Sequence, residues 1–492
     1  MSKIKMGWAK VDITPNEKIG LSGQFYERVS DVVESRLYVT AFALESGNDQ
    51  MILVSCDIAV VAQNLNRMVK EKLEDKLPIS TDKVILSAIH THTSYVYQQK
   101  RTLPSAIDYL ETVLPEDMAY VSKTTGEKYM DPVDALNFLA DKITEAVLLA
   151  WENRKEGYYQ CAFGRAAVGM CRRVSYDDGS ARMWGETNLA NFDALEGGND
   201  SGIELIYTFD KDKNLNGVIA NIACPAQVVE QRSFISSDYW GKVRENLAKH
   251  FGKDIFVLGL CSAAGDQCPR DLVRWVEPET PVDDPNIYHL YPVERRADPS
   301  MFDISGLKVV GKRISNEIIS VLEELDLSNM KDEGVLIHEK VDMVFPLRKV
   351  TIKEYEDAVS KIEEYIANNR GKHANFADNA RLYVYSGIVD RYLLQQKVNT
   401  FKEEIHIIRF DDIAIASNPF ELFLDYGNQI RARSKAKQTF LIQLACGAGG
   451  YLPTEKAEKG SHYSAYVSSG TTGHVGGNLL VRETLERINN KF

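Results

Sequence analysis

The chain contains no C-x-x-C pair, although it holds seven cysteines in 492 residues. That removes the zinc knuckle and the thioredoxin-type motif. The cysteine number is odd, and the N-terminal residues lack the apolar run of a signal peptide, so a disulfide framework is not expected. No stretch approaches the roughly 18 apolar residues of a membrane span, which predicts no stable membrane insertion. Basic residues are in deficit: 58 Lys plus Arg against 70 Asp plus Glu give 58 − 70 = −12. A nucleic-acid backbone binder needs the opposite balance. The patterns GxxxxGK[ST], GxGxxG, HExxH and GxSxG are missing too. Phosphate-loop, dinucleotide, zincin and serine α/β-hydrolase chemistries are thereby excluded. Without an export signal, the expected location is cytoplasmic.

What is present reads as a globular protein, with 44% hydrophobic and 26% charged residues. Length alone suggests about three domains of roughly 150 residues, or one large domain with insertions. Apolar runs at 37–44 and 51–55 flank Gly47-Asn48-Asp49, which predicts a hairpin. Helical periodicity marks 64–76, 132–153, 238–251, 304–325, 351–370, 379–398, 421–434 and 478–490. Strands are expected at 83–89, 157–174, 202–224, 254–260, 405–417 and 439–445. An irregular insertion is expected at 98–127, a lid-like loop at 278–301 and a glycine-rich loop region at 447–477. No internal repeat is legible. Interleaved strands and helices predict an α/β (α+β) fold of mixed sheets covered by helices.

Five places carry chemistry. Ile89-His90-Thr91-His92-Thr93 spends two of nine histidines at a strand end. If strand geometry persists, residues i and i+2 face one side; if the chain turns at His90, they diverge. Cys261 to Pro269 puts Asp266 and Cys268 in a small-residue turn after a buried strand, where α/β enzymes place their sites. Glu421 follows Asn418-Pro419-Phe420 at a strand-to-helix turn, as a helix N-terminal acid or a metal carboxylate. Gly449 to Thr454 and Gly460 to Tyr466 combine close-approach glycines with Tyr451, Tyr463 and Tyr466. Cys171-Arg172-Arg173 offers an arginine pair for a carboxylate or oxyanion.

In chain order these segments resemble the catalytic region of the neutral/alkaline (non-lysosomal) ceramidase family. Gly7-Trp8-Ala9-Lys10-Val11-Asp12-Ile13-Thr14-Pro15 is similar to its G-x-A-x-x-D-I-T-P start, and Val54-Ser55-Cys56-Asp57 to its strand ending in aspartate. His90-Thr91-His92-Thr93-Ser94 resembles T-H-T-H-S, and Asn221-Ile222-Ala223-Cys224-Pro225 resembles N-F-x-x-H-P, with Ser237-Asp238-Tyr239 after it. Gly265-Asp266-Gln267-Cys268-Pro269 resembles G-D-V-S-P, Pro419-Phe420-Glu421 resembles P-G-E, and Gly450-Tyr451-Leu452-Pro453-Thr454 resembles G-Y-x-x-T.

The resemblance implies one large domain over 1–492, with insertions near 98–130 and 271–303 and no C-terminal immunoglobulin-like domain. It implies a zinc-dependent hydrolase with one Zn²⁺ per chain. His90, Cys224, Glu421 and Tyr451 stand at its metal positions, with Tyr463 the alternative tyrosine. His92, Arg172, Asp266, Cys268 and Tyr463 stand at its catalytic positions, and Asp57 or Asp266 would orient the histidines. Three positions depart from the family: Cys224 replaces a ligand histidine, Cys268 a serine and Cys171 an asparagine. Tyr95-Val96-Tyr97 replaces the family's glycine and proline. These departures predict action on an amide, ester, lactone or glycoconjugate other than ceramide. The expected partner is therefore a small-molecule, glycoconjugate or lipid-like substrate; a homo-oligomer is compatible with the sequence. Two further readings stay open: a Cys268 nucleophile with His92 as base, and a non-catalytic ligand-binding protein.

Overall fold

The computed structural model describes residues 2–101, 103, 106–118, 127–274, 304–372 and 376–492. The expected loop 278–301 lies outside the described residues, as do 102, 104–105 and 119–126 of the expected insertion. The chain has an α/β fold with mixed sheets and helical cover.

The first sheet holds β1 (Ser2–Asp12), β2 (Tyr38–Ser46), β3 (Asp49–Cys56) and β4 (Val84–Ala88) in that spatial order. β2 and β3 make the hairpin read from Gly47-Asn48, and α1 (Gln63–Leu73) crosses over to return β4 parallel to β3. α2 (Pro132–Glu152) covers the sheet. Proline stands in its first turn, and the Asp131 carboxylate accepts from Val133 N–H, so both start signals are satisfied.

The second sheet repeats this plan with β5 (Tyr158–Cys171), β6 (Asp200–Phe209), β7 (Leu215–Ile222) and β8 (Phe256–Cys261). β5–β6 and β6–β7 are antiparallel, and α3 (Tyr239–Phe251) crosses over to place β8 parallel to β7. α4 (Ile304–Glu324) covers β5 and α3.

The last third supplies β9 (Leu336–Pro346), the helix pair α5 (Ile352–Asn368) and α6 (Phe376–Gln395), β10 (Thr400–Phe410), β11 (Ile413–Ser417), β12 (Phe420–Leu422), α7 (Leu424–Arg433), β13 (Gln438–Ile442), β14 (Gly450–Leu452) and α8 (His474–Asn489). The third sheet runs β9-β10-β11-β13: again two antiparallel pairs, a crossover helix and a parallel return. The molecule thus carries a threefold repeat where none was legible in the sequence. What repeats is a pairing pattern, strand–hairpin–helix–strand, which many side-chain sets satisfy. β12 interrupts the third crossover and pairs with β14.

One buried cluster joins the three sheets. Phe42, Leu53 and Ile85 meet Ile206, Ile219 and Leu258, together with Phe410, Ile415 and Phe440. Each such side chain contributes about 1.5–3 kcal/mol on burial. Hydrogen bonds lock the join: Ser55 Oγ to Gly259 O at 2.6 Å, and Asn221 Nδ2 to Leu441 O at 2.7 Å. The parallel strands of all three sheets therefore end beside one another, and the residues following them share a common rim. Among the described residues, no helix is long and apolar enough to cross a membrane. All seven cysteines are free thiols.

Candidate functional site

β4 stops at Ala88, and His90 has φ 70°, in the left-handed region. The chain does turn at His90, yet the two imidazoles do not diverge. His90 N–H docks on Ile58 O at 3.1 Å, and the two Nε2 atoms stand 3.2 Å apart. An unusual backbone conformation of this kind persists only where its surroundings hold it. His90 Nδ1 donates to Ala59 O at 2.6 Å. A carbonyl only accepts, so the hydrogen is on Nδ1 and the Nε2 lone pair faces the site. Burial lowers the basicity of both rings, that of His92 more strongly, with His90 and Arg28 adding to the effect on His92. The His92 side chain packs against Gly23, where a Cβ would come within 2.3 Å of its ring.

Glu421 does not open a helix. It lies in β12, and its parallel register partner in β14 is Tyr451. Directly paired positions face the same side, so carboxylate and phenol reach the rim together. Glu421 Oε2 is 3.6 Å from His90 Nε2. β12 approaches the 261–269 turn so closely that a Cβ at Gly265 would stand 2.3 Å from Glu421 O. That is the physical reason for glycine there. Tyr451 packs edge-on against Tyr463, ring centroids 5.4 Å apart. Burial raises both phenols well above their ordinary range, with Glu421 next in effect.

Arg172 follows β5 directly. Its Nη2 donates to Gly265 O at 3.0 Å and Tyr451 Oη at 3.3 Å, and its Nη1 to Gln227 Oε1 at 3.2 Å. Its Nε is buried without a hydrogen-bond partner. Burial opposes its charge, but Tyr451, Cys268, Glu421 and Glu230 outweigh that, and it stays a guanidinium.

Three side chains at this rim carried no signal in the motifs. Gln227 bridges the centre: its Nε2 lies 2.7 Å from His92 Nε2 while its Oε1 accepts from Arg172. Glu230 Oε2 stands 3.4 Å from His92 Nδ1, and burial raises its carboxyl. Arg28, fully buried, donates to the carbonyls of Glu230 and His92 at 2.7 Å each and so ties the two segments together. The spacing Cys224, Gln227, Glu230 repeats polar chemistry every three residues, which is the one local cue available.

The remaining expected residues sit as follows. Cys224 is buried in the apolar cluster that includes Ile89; its Sγ donates to Pro225 O at 3.5 Å, and burial pushes the thiol well up. Cys268 Sγ hydrogen-bonds to the Arg270 backbone, donating to its O at 3.4 Å and accepting from its N–H at 3.3 Å. Burial pushes that thiol up to about 12. Asp266 Oδ1 accepts from Leu424 N–H at 2.9 Å at the start of α7, and burial raises it to about 6. Asp57 grips Arg244 bidentately at 2.7 and 2.8 Å. The groups that orient the histidines are therefore Ala59 O and Glu230, not Asp57 or Asp266. Tyr95 donates to Ile13 O and Tyr97 to Val60 O, so both stay inside the first sheet's core.

The donor chemistry fits a zinc ion. An imidazole nitrogen and a carboxylate oxygen 3.6 Å apart are close to the roughly 3.3 Å edge of a tetrahedron with ~2.0–2.1 Å bonds. The imidazole is oriented through its other nitrogen, as metal-binding histidines usually are.

No protein-family model matches the chain. No curated protein matches it in sequence either. Solved structures do match in fold. The crystal structure of neutral ceramidase from Pseudomonas aeruginosa aligns with a TM-score of 0.66 at 16% identity, over 100% of this chain and 75% of that one. A ceramidase complexed with C2 aligns with the same TM-score and coverage at 12% identity. The fold is thus ceramidase-like, carried by a much-diverged sequence.

Proposed function

We propose that this protein is a zinc-dependent hydrolase that cleaves an amide or an ester/lactone bond in a substrate other than ceramide. The observation that carries this reading is the meeting of His90 Nε2 and Glu421 Oε2 at 3.6 Å, with Tyr451 in register beside Glu421 and Arg172 beside Tyr451. His90, Glu421 and Tyr451 would hold one zinc per chain; Cys224, at the position where the ceramidase pattern has histidine, keeps its sulfur in the apolar cluster, more than 4.8 Å from a donor atom of that set, and stands outside it. When bound, zinc polarises a carbonyl and lowers the pKa of water towards 7.

The protein's own groups do the rest. His92, kept neutral by burial, would act as the base at Nε2, where the incoming proton displaces the Gln227 N–H that this nitrogen accepts, and would return that proton to the leaving group. Gln227 and Glu230 hold its ring in place. Arg172, with its unpartnered Nε, and the Tyr463 hydroxyl face the developing oxyanion. Asp266 and Cys268 keep the turn under Glu421 in shape. A cavity beside Gly450 is lined by charged Arg101, Asp390, Arg391 and Glu403 and by apolar Leu103 and Leu394.

The test is metal content together with turnover across a panel of amides, esters and lactones. One zinc lost in His90→Ala and Glu421→Gln, along with turnover, is the expected result. Full turnover by metal-free protein would overturn it.

A further inference from the structure

A second group of ligand atoms lies away from the rim just described. Glu404 and His406 are i and i+2 on β10 and face the same side. They look onto Cys446 in the turn after β13. Cys446 has φ 58°, and its N–H is held by Leu86 O at 2.8 Å, so the turn is fixed to the first sheet. Glu404 Oε1 is 2.7 Å from His406 Nε2, and Cys446 Sγ is 3.8 Å from the same nitrogen. One donor atom from each residue lies within 4.8 Å of the others, the one such trio of His, Cys, Asp or Glu among the described residues.

The hydrogen-bond chain behind His406 decides where its hydrogen goes. His338 Nδ1 is 3.0 Å from Gln50 O, which only accepts, so His338 carries its hydrogen on Nδ1. His338 Nε2 must then accept from His406 Nδ1–H across 2.9 Å. Neutral His406 is left with a bare Nε2 lone pair facing a carboxylate oxygen at 2.7 Å. At 2.7 Å the two groups share a proton; an ion taking its place would widen the gap towards the roughly 3.3 Å edge of a tetrahedron. The Cys446 thiol beside the same nitrogen adds a third donor of the kind a borderline metal takes. Lys70 forms an ion pair with Glu404 and is the competing cation; Asn66 Nδ2 donates to its other oxygen at 3.4 Å.

We infer that Glu404, His406 and Cys446 bind a second zinc-class ion, a structural one, tying β10 to the turn that leads into β14. The His406 side chain is fully buried and that of Glu404 only 15% exposed, so the ion is enclosed. Binding replaces the thiol hydrogen by a metal–sulfur bond and releases that proton to solvent. The site shares no ligand with the first centre.

The test uses full-length His90→Ala protein, stripped with chelator and titrated with Co²⁺. A near-ultraviolet thiolate-to-cobalt charge-transfer band is expected. Adding Cys446→Ser should remove the band, and Cys224→Ala should leave it. X-ray absorption on the zinc-loaded His90→Ala protein should show one sulfur at about 2.3 Å, a measurement that needs no substitution at the second site. Lys70→Met should tighten Co²⁺ binding several-fold. Absence of the band and of sulfur scattering in His90→Ala protein would overturn the inference. Retention of the band in Cys446→Ser would overturn it too. Failure of the first centre looks different: His90→Ala would then bind as much metal as the unsubstituted protein.

Discussion

Two histidine–carboxylate pairs in this molecule invite comparison, His90 with Glu421 and His406 with Glu404. In both, a backbone carbonyl sets the tautomer: Ala59 O directly for His90, and Gln50 O through His338 for His406. The second pair is local. Its members are two residues apart on one strand, meet at 2.7 Å and already carry a lysine. The first pair comes from two sheets and leaves 3.6 Å between its atoms, with Arg172, Tyr451 and His92 around it. Strand periodicity suffices to build the closed pair. The open pair needs strand ends from separate sheets to converge, and that convergence leaves space beside several different functional groups. A closed pair suits holding an ion; an open one suits acting on a substrate.

The largest expected break falls on the open pair. His90→Ala or Glu421→Gln should weaken its metal binding by more than about 100-fold, since loss of groups that merely orient a ligand already costs 10–100-fold. Metal analysis of dialysed protein checks this. Cys224→Ala should cost less, because its sulfur sits in the apolar cluster; an equal loss would make it a full ligand. Arg172→Met should lower kcat by about 10²–10³-fold with KM nearly unchanged, the usual cost of one oxyanion donor. A change confined to KM would assign Arg172 to substrate binding. Gln227→Ala or Glu230→Gln should slow turnover about tenfold while the metal stays bound, and metal loss in either would move that residue among the ligands. The smallest effect belongs to Cys268→Ala, expected to keep activity within about threefold. With its thiol pushed up to about 12, its thiolate fraction at pH 7 is only ~10⁻⁵. Iodoacetamide should therefore leave Cys268 unlabelled near neutrality and react increasingly as pH rises towards 12. Fast labelling at pH 7 would revive the thiol nucleophile.

Much of the local structure was legible. Gly47-Asn48 announces its hairpin, and Asp131-Pro132 and Asp238 announce their helices, because turns and caps are decided by nearby residues. His90, His92, Arg172, Glu421, Tyr451 and Tyr463 are legible as chemistry, and they do share one rim. Glu421 was expected at a strand-to-helix turn; pairing with β14, some thirty residues on, makes it a strand instead. Gln227, Glu230 and Arg28 escaped because each matters through a partner distant in sequence. Gly23 escaped for the same reason: its lack of a side chain makes room for His92, 69 positions later (92 − 23). The threefold plan escaped because hydrogen-bond topology leaves no fixed residue signature.

That plan has a kinetic meaning. His90 and Glu421 are 421 − 90 = 331 positions apart, and no single repeat contains both. The chain must close that distance before the two side chains meet, and it recovers the ordering entropy only once the shared core of Phe42, Ile219 and Phe410 has consolidated. On the zinc reading proposed above, ion affinity at the rim becomes a gauge of assembly: whatever loosens the junction of the three sheets will be felt there first as a weaker grip, before any strand is lost.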